Sequence, residues 1–526
     1  MAQPDDRAAP RDAASIPDAV RRAAARWPHD EAVVDGDVRL SFRALEAMMV
    51  RAVRAMVASG VEPGDRVALW APNRWQWIVA ALGVHGAGGW LVPVNTRFKG
   101  EEAAHLLRTT RARMLVTVSD FLDTDYVGML EAVDPTLDAL HDVVLLDEGW
   151  DDFLARGADV SDADAHAAID RVARDDVADV VFTSGTTGTP RGVPITHGQS
   201  LRFYDVVGSE LGLRRGDRYL IVNPFFHCFG YKAGWLLCVM RGATTVPLAV
   251  FDAATVVDLI ERERISVLAG APTLLWGILD REQGEARDLS SLRIGFVGAA
   301  IVPAELLRRM RAELPFERVT CGYGLTESSA VCSITRPDDD PEYVAEWSAG
   351  HPIDGVEVKV VDGDGRALPP GEAGELMIRG GNVMAGYYQD PEATATVLEP
   401  DGWLHSGDVA VLNERGDIRI TDRTKDLYIS GGFNVSPAEV ESLLLGMDDV
   451  SQVAVVGVPD ARLGEVGAAF VVPRPGSHVT PVDVVAWARE HVANYKVPRQ
   501  VILVDVLPLN AAGKVLKGEL RGRLLA

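Results

Sequence analysis

Val181–Phe182–Thr183–Ser184–Gly185–Thr186–Thr187–Gly188–Thr189–Pro190–Arg191–Gly192 is the stretch that decides how this chain is read. From Thr183 to Gly192 it carries five hydroxyl side chains and three glycines in ten residues. The largely apolar run before it, Val177 to Phe182, reads as a buried strand. Glycine lets the backbone turn tightly and aim successive N–H groups at one point, which makes a nest for an anion. The hydroxyls add donors without charge. Thr183, Ser184, Gly185, Thr186, Thr187, Gly188 and Arg191 are therefore candidates for gripping a polyphosphate. A flexible Ser/Thr/Gly linker has a similar composition, but a linker has no reason to follow a buried strand. The Walker pattern ending in Gly-Lys-Ser/Thr finds no match in the chain.

At 526 residues the chain exceeds what one core serves, so two or more domains are expected. Its composition is ordinary for a globular protein, 47% hydrophobic and 24% charged. A net charge of −24 with no Lys/Arg stripe excludes a nucleic-acid partner. Cys228, Cys238, Cys321 and Cys332 show neither a Cys-x-x-Cys pair nor histidines at ligand spacing. Buried free thiols and a reducing, cytoplasmic location are expected. Met1 to Pro17 is polar and lacks the apolar centre of a signal peptide, so it reads as a loose tail. Trp77 to Val94 is nearly long enough to span a bilayer. It contains His85, four glycines and Pro93, however, and divides into a buried helix and a strand, so no membrane insertion is expected. Only seven of the 52 basic residues are lysine.

From Ala32 to about Val250 short apolar strands alternate with helical patterns, as in Arg66 to Trp70, Trp75 to His85, Met114 to Val118 and Asp142 to Leu146. The alternation continues through Ile265–Ala269, Ile294–Val297, the helix Pro303 to Leu314, and Arg318–Thr320. This is α/β texture with parallel sheets. Past Gly350 it turns antiparallel, with strands at Glu357–Val361, Gly374–Arg379 and Val409–Leu412. A boundary falls in 422–426. Beyond it Ser436-Pro437-Ala438-Glu439 opens a helix with the pattern of a capping box. Strands at Val453–Val458, Ala468–Val472 and Val501–Val504, a helix at Pro481–Val492, a polar loop and a short tail complete the chain.

Six stretches, TSGTTGTPRG (183–192), NPFFHCFGYKAG (223–234), GYGLTE (322–327), GWLHSGDVA (402–410), TDRTKDLYISGGFNVSPAEVE (421–441) and NAAGKVLKGEL (510–520), resemble in sequence and order the motifs of the adenylate-forming (ANL) superfamily. That superfamily holds acyl-CoA synthetases, adenylation domains and beetle luciferases. The resemblance runs from about residue 30 to the end. It implies a large N-terminal domain of α/β subdomains with a small β-barrel-like subdomain, at 1–424, and a small mobile α+β domain at 425–526. It also implies the chemistry: a carboxylate attacks the α-phosphorus of ATP, and a thiol then displaces AMP from the acyl-adenylate. ATP, Mg²⁺ and CoA are the cofactors implied, with a small-molecule carboxylic acid as substrate.

Such chemistry needs positioning and charge stabilisation above all. The resemblance makes Glu327 the Mg²⁺ ligand, gives Thr326 a phosphate contact and lays Tyr323 against adenine. Asp408 and Arg423 become the ribose contacts. Lys514 becomes the adenylation lysine, a point cation between carboxylate and α-phosphate. Lys425 takes the hinge position, and Gly431 and Gly432 the face that lets the pantetheine arm of CoA pass. His227 lies between acyl pocket and thiol route, as a gate rather than a base. With Lys514, Thr326 and Glu327 it completes the catalytic candidates. The acyl pocket is assigned His227, Tyr231, Lys232, Gly298, Ala299, Ala300, Gly322 and Gly324, with Trp235 and Trp276 able to narrow it. Taken alone, Thr-Glu is a common helix start, Gly-Asp a turn, and a lysine near a C-terminus a solvated charge.

Two positions depart from the family pattern. Arg191 stands where most relatives have lysine, and Pro194 where an aliphatic residue is usual. Drift in an arginine-rich chain accounts for both. The alternative is a weakened first half-reaction, with acyl-adenylate supplied by a separate enzyme. A non-catalytic nucleotide-binding protein would have lost the phosphate and ribose residues, and they are present. The chain runs twelve residues past Lys514, so no fused carrier domain is expected, although a carrier protein in trans and a homodimer stay open as partners. Within the superfamily, NPFFHxFGYKAG, RITDRxKDxYIxGGFNVxPAEVE and LGEVG (463–467) are similar to actinobacterial CoA ligases for the bicyclic propionate left from steroid rings. A bulky polycyclic or branched acid is therefore expected. A medium- or long-chain fatty acid is the alternative, followed by a terpenoid acid.

Overall fold

The computed structural model describes residues 12–133, 137–183, 190–280, 287–298, 302–336, 339–423, 428–430, 433–460, 463–492, 494–510 and 513–525. Among these, a six-stranded sheet runs in the order Asp142–Leu145, Met114–Thr117, Arg66–Trp70, Trp90–Pro93, Val177–Thr183, Arg191–Thr196. All neighbours are parallel except the last pair, an antiparallel hairpin in which Thr183 faces Arg191. A nine-stranded sheet has a parallel centre ordered Arg318–Tyr323, Ile294–Val297, Val267–Gly270, Arg218–Ile221, Thr244–Pro247, Glu31–Asp35, with antiparallel strands at both edges. Met114–Thr117, Val267–Gly270 and Ile294–Val297 are buried at every residue, because a parallel strand is covered on both faces.

The helix Trp75–Gly86 is apolar all round and lies between the two sheets, touching strands of both. Its glycines let it press on the Phe42–Ala58 helix: a Cβ on Gly86 would fall 2.4 Å from Val53 Cγ2. The long apolar stretch thus divides into a core helix and the Trp90–Pro93 strand, as its sequence indicates. Among the described residues no helix is long and apolar enough to cross a membrane. The expected antiparallel region is a four-stranded meander, Val356–Val361, Ala373–Gly380, Leu404–Leu412, Ile418–Arg423.

Past it, five strands (Tyr428–Ser430, Phe433–Val435, Val450–Asp460, Gly464–Pro473, Gln500–Leu503) form a sheet with a core on each face. Val440, Leu444, Val455, Val471 and Val484 fill one face, and Val456, Phe470, Leu507 and Leu520 the other. Residue 424, the proposed boundary, and Lys425, the proposed hinge, lie outside the described residues.

Three readings change. The N-terminal tail is shorter than expected, because Ile16 and Pro17 are buried in the helix Ile16–Arg26, capped by Ser15. The C-terminal tail is also a helix, Lys517–Leu525, anchored by the fully buried Leu520. Its charged sequence hides a single apolar contact line, which is why periodicity misses it. At Ser436 the side chain accepts the Glu439 N–H at 3.1 Å, but the Glu439 carboxylate pairs with Lys496 at 2.5 Å.

Leu520→Ala removes the anchor of the last helix. It is expected to cost about 2–4 kcal/mol, measured as a lowered denaturation midpoint together with faster hydrogen exchange in Val450–Asp460.

Candidate active site

The central strands of the nine-stranded sheet end on one side. There Ile221 leads into 222–227, Gly270 into 271–273, Val297 into Gly298, and Arg318–Tyr323 into 324–327. The C-terminal edge of a parallel sheet is where loops of an α/β fold converge on a ligand.

Gly298 and Gly322 meet at this edge, since a Cβ on Gly298 would lie 3.1 Å from the Gly322 carbonyl oxygen. Phe229 and Phe296 pack edge to face beside them at 5.3 Å. Gly324 sits where a Cβ would strike the backbone of Ala330 and Val331 at 2.5–2.6 Å, so only glycine fits this turn. After it Thr326–Ser328 forms one helical turn that presents Glu327. Buried groups brace the turn from behind. Tyr204 donates to the Ser329 carbonyl at 3.0 Å, Ser329 Oγ to the Asn382 carbonyl at 2.7 Å, and Asn382 Nδ2 to the Val331 carbonyl at 2.7 Å.

The meander delivers the next group. Tyr323 donates its hydroxyl to Asp408 Oδ2 at 2.7 Å, and Asp408 is only 3% exposed. Burial first, and the Asp408 charge second, push the Tyr323 pKa far above the usual phenol value, so the proton stays on the tyrosine. Gly407, at φ +68, gives its N–H to Glu375 Oε1 at 3.2 Å, which shapes the strand beside Asp408. The backbone of Arg423 stands in register opposite Asp408.

Glu327 Oε1 accepts the Tyr387 hydroxyl at 2.9 Å, and its backbone carbonyl accepts the Met384 N–H at 2.8 Å. Among the described residues no three His, Cys, Asp or Glu side chains converge on a metal position. One oriented carboxylate fits Mg²⁺, which keeps waters and substrate phosphates as its other ligands.

His227 caps the short helix Cys228–Gly230, its Nδ1 accepting the Phe229 N–H at 3.2 Å. The residue as a whole is half-buried. The surrounding protein still disfavours the imidazolium, and burial lowers the pKa to about 4. The segment is clasped by Asn73, a residue the sequence reading passed over. Asn73 Oδ1 accepts the Phe225 N–H at 2.7 Å, and Nδ2 reaches the carbonyls of Asn223 at 2.9 Å and of Ile221 and Leu248 at 3.2 Å. An asparagine before an apolar helix reads as a cap in sequence, and nothing local shows that its partners lie some 150 residues away.

Tyr231 and Lys232 make their contacts inside the core. Both are fully buried. Lys232 Nζ lies 3.0 Å from Asp179 and donates to Ser200 Oγ at 2.9 Å. Tyr231 pairs with His85 Nε2 at 2.7 Å and stacks on Trp235 at 4.9 Å. A π-helical turn at Tyr231–Leu236 turns these side chains into the core. Trp235 and Trp276 are core residues too, 0% and 5% exposed.

Thr183 and Arg191 face each other at the last pair of their hairpin. Arg191 places its guanidinium 5.3 Å from the Tyr387 ring centre and 3.8 Å from Asp390. Lys514 sits in a loop held by Asn510, whose Oδ1 accepts the Lys514 N–H at 2.9 Å. Thr273 Oγ1 donates to the Gly513 carbonyl at 2.8 Å, which seats that loop on the crevice edge. Ser184, Gly185, Thr186, Thr187, Gly188, Ala299, Ala300, Gly431 and Gly432 lie outside the described residues.

The hairpin of Thr183 and Arg191, the Glu327 carboxylate held by Tyr387 and the Lys514 loop held by Thr273 carry residue types in an order that matches the adenylate-forming ligases. Residues 20–388 match the AMP-binding enzyme family and 439–514 its C-terminal domain, and the chain belongs to this family. It is an ATP-dependent acid–thiol ligase of the AMP-forming acyl-CoA synthetase type, which uses ATP, Mg²⁺ and CoA. It is 47% identical over 517 residues to a methyl-dioxo-octahydroindenyl-propanoyl:CoA ligase of Rhodococcus jostii, covering 96% of this chain and 98% of the relative. It is 46% identical to the ligase of the same name from Mycobacterium tuberculosis, over 97% and 99% of the two chains. The structure matches ATP-bound MatB from Rhodopseudomonas palustris with a TM-score of 0.86 at 28% identity, over 97% and 99% of the chains.

His85 and His197 are both buried. Burial first, then neighbouring charges that include Lys232, lowers the His85 pKa well below the usual value and the His197 pKa to about 3. Unfolded histidines take up protons near pH 6.5 that these refuse, so their share of stability is full above pH 6.5 and falls as the pH drops. From pH 7.5 to 5.5 the His197 share is expected to fall by roughly 1 kcal/mol, and the His85 share to fall in the same direction. His197→Gln, which keeps an acceptor for the Ile16 N–H, should lose correspondingly less in denaturation curves at the two pH values.

Proposed function

We propose that this enzyme joins CoA to a bulky carboxylic acid through an acyl-adenylate, and that the acid is a propionate side chain on a fused bicyclic ring. The observation that carries the substrate class is near-end-to-end identity of 47% and 46% to two ligases named for one such propanoate.

In the first half-reaction a carboxylate oxygen of the acid bonds to the α-phosphorus and pyrophosphate leaves. Lys514 places its ammonium where negative charge gathers between the two reactants. Thr183, Arg191 and Thr326, with 184–188, hold the phosphates. Asp408, one oxygen fixed by Tyr323, accepts the ribose hydroxyls, with Arg423 beside it in register. Glu327 holds the divalent ion, which neutralises phosphate charge when bound. The Lys514 loop seated on Thr273 supports a pose that serves this step.

In the second half-reaction the thiol gives its proton to solvent, its sulfur bonds to the acyl carbon, and the bond from that carbon to the phosphate oxygen breaks as AMP leaves. The C-terminal domain, 425–526, turns about Lys425 and brings Gly431 and Gly432 to the pantetheine arm. His227 acts as a gate. At a pKa of about 4, taking a proton from a thiol of pKa about 8.5 would be uphill by roughly 6 kcal/mol. Four buried free cysteines support a cytoplasmic location.

The test is mass-spectrometric detection of acyl-CoA from a panel of fused-ring propionates, fatty acids, aromatic acids and diterpenoid acids, with ATP, Mg²⁺ and CoA. Each acid is run beside its preformed adenylate. Thioester from the fused-ring acids and ATP is expected. Lys514→Ala should lower that yield by about 100-fold or more while leaving conversion of the preformed adenylate largely intact. Product only from the adenylate would mean that the first half-reaction is lost. Product only from fatty acids would overturn the substrate class, and product only with a carrier-protein thiol would replace CoA as acceptor.

A further inference from the structure

We infer that Tyr387 is a positioning residue of the metal–phosphate site, a strut that orients Glu327 with its hydroxyl and seats Arg191 on its ring. The inference rests on the assignment of Glu327 to Mg²⁺ and of Arg191 to the phosphate loop, and it goes beyond both.

Gly386-Tyr387-Tyr388 is fastened on three sides. The Tyr387 N–H donates to Thr394 Oγ1 at 2.9 Å, and the Tyr388 N–H donates to the Gly192 carbonyl at 2.8 Å, on the strand that leaves the phosphate loop. The Tyr388 ring packs edge to face on Trp90 at 6.4 Å. From this fixed base the Tyr387 hydroxyl reaches Glu327 Oε1 at 2.9 Å, while the Met384 N–H holds the Glu327 carbonyl at 2.8 Å. The same short stretch therefore grips both the backbone and the side chain of Glu327.

The Arg191 guanidinium lies 5.3 Å from the centre of the Tyr387 ring, with Asp390 at 3.8 Å. A planar, weakly hydrated guanidinium gains from an aromatic face, whereas an ammonium prefers water. Arginine at this position thus has a platform, which gives the departure from the usual lysine a physical reason. Glu327 meets the hydroxyl end of the ring and Arg191 its centre, so one side chain sets the separation between a carboxylate and a cation that must both face a polyphosphate. A hydrogen bond from behind is how proteins orient a metal-binding carboxylate, and losing such a bond typically costs about 10–100-fold in metal affinity.

Calorimetric titration of ATP into the full-length enzyme over a series of Mg²⁺ concentrations tests this without turnover. Tyr387→Phe keeps the ring and removes the hydroxyl. It should raise the Mg²⁺ needed for half-maximal ATP affinity by about 10-fold and leave the KM for the acid unchanged. Tyr387→Leu removes the platform as well and should weaken ATP binding at saturating Mg²⁺, where the phenylalanine variant recovers. In a Glu327→Gln background Tyr387→Phe should add nothing, because the hydroxyl acts through that carboxylate. If Glu327→Gln shifts the Mg²⁺ dependence but Tyr387→Phe does not, the strut is wrong and the assignment of Glu327 stands. If Glu327→Gln itself shifts nothing, the assignment falls and takes the strut with it.

Discussion

One buried amide joins the two halves of the crevice. Asn73 follows the Arg66–Trp70 strand of the six-stranded sheet, and its partners all belong to segments leaving the nine-stranded sheet. The bonds to Ile221, Asn223 and Phe225 are shut away from water, where an unmade hydrogen bond costs about 1–3 kcal/mol. The sheets are therefore locked at one spacing where the His227 segment begins. The apolar helix Trp75–Gly86, which starts just after Asn73, fills the space behind that lock. Thr183, His227, Gly298 and Glu327 all lie at or just past strand ends whose relative positions these two features set.

A second constraint lies deeper. Lys232 and Asp179 face each other with no solvent exposure, among Ser200, Tyr231, His85 and His197. Burial pushes the Asp179 pKa up, and the Lys232 ammonium opposes that shift. Such a pair adds little net stability because desolvation offsets attraction, but removing one partner leaves a buried charge at a cost of about 3–5 kcal/mol. Asp179 lies on the strand that ends at Thr183, and Lys232 five residues past His227. The pair thus fixes the hairpin strand Val177–Thr183 relative to the His227 segment.

Much of the fold was legible because the strands are short, apolar and punctuated by Gly, Pro and Asp. The strands Arg66–Trp70 and Ile294–Val297 match residue for residue, and most other boundaries fall within three. The elements missed were those whose burial is decided by one or two residues, such as the terminal helix held by Leu520. At the site the motifs single out Glu327, Asp408, Tyr323 and Lys514 as candidates by residue type and local spacing, and the structure pairs Glu327 with Tyr387 and Asp408 with Tyr323. The motifs do not reveal that Tyr231 and Lys232 make their contacts in the core, because a motif records which residues travel together and not which way each side chain faces. A wide helical turn around Gly234 makes that choice.

By itself, the sequence determined the α/β class, the family and the reagents of the reaction, because hydrophobic period, turn residues and ligand chemistry are local properties of a chain. Tertiary structure alone decided that Asn73 bridges two sheets, that Lys232 spends its charge on Asp179, and that Tyr387 stands between Glu327 and Arg191. These are contacts across roughly 50 to 200 positions in the chain. Closing such distances yields no signal in any window of sequence, and only the packing of the two sheets and the meander makes the partners neighbours.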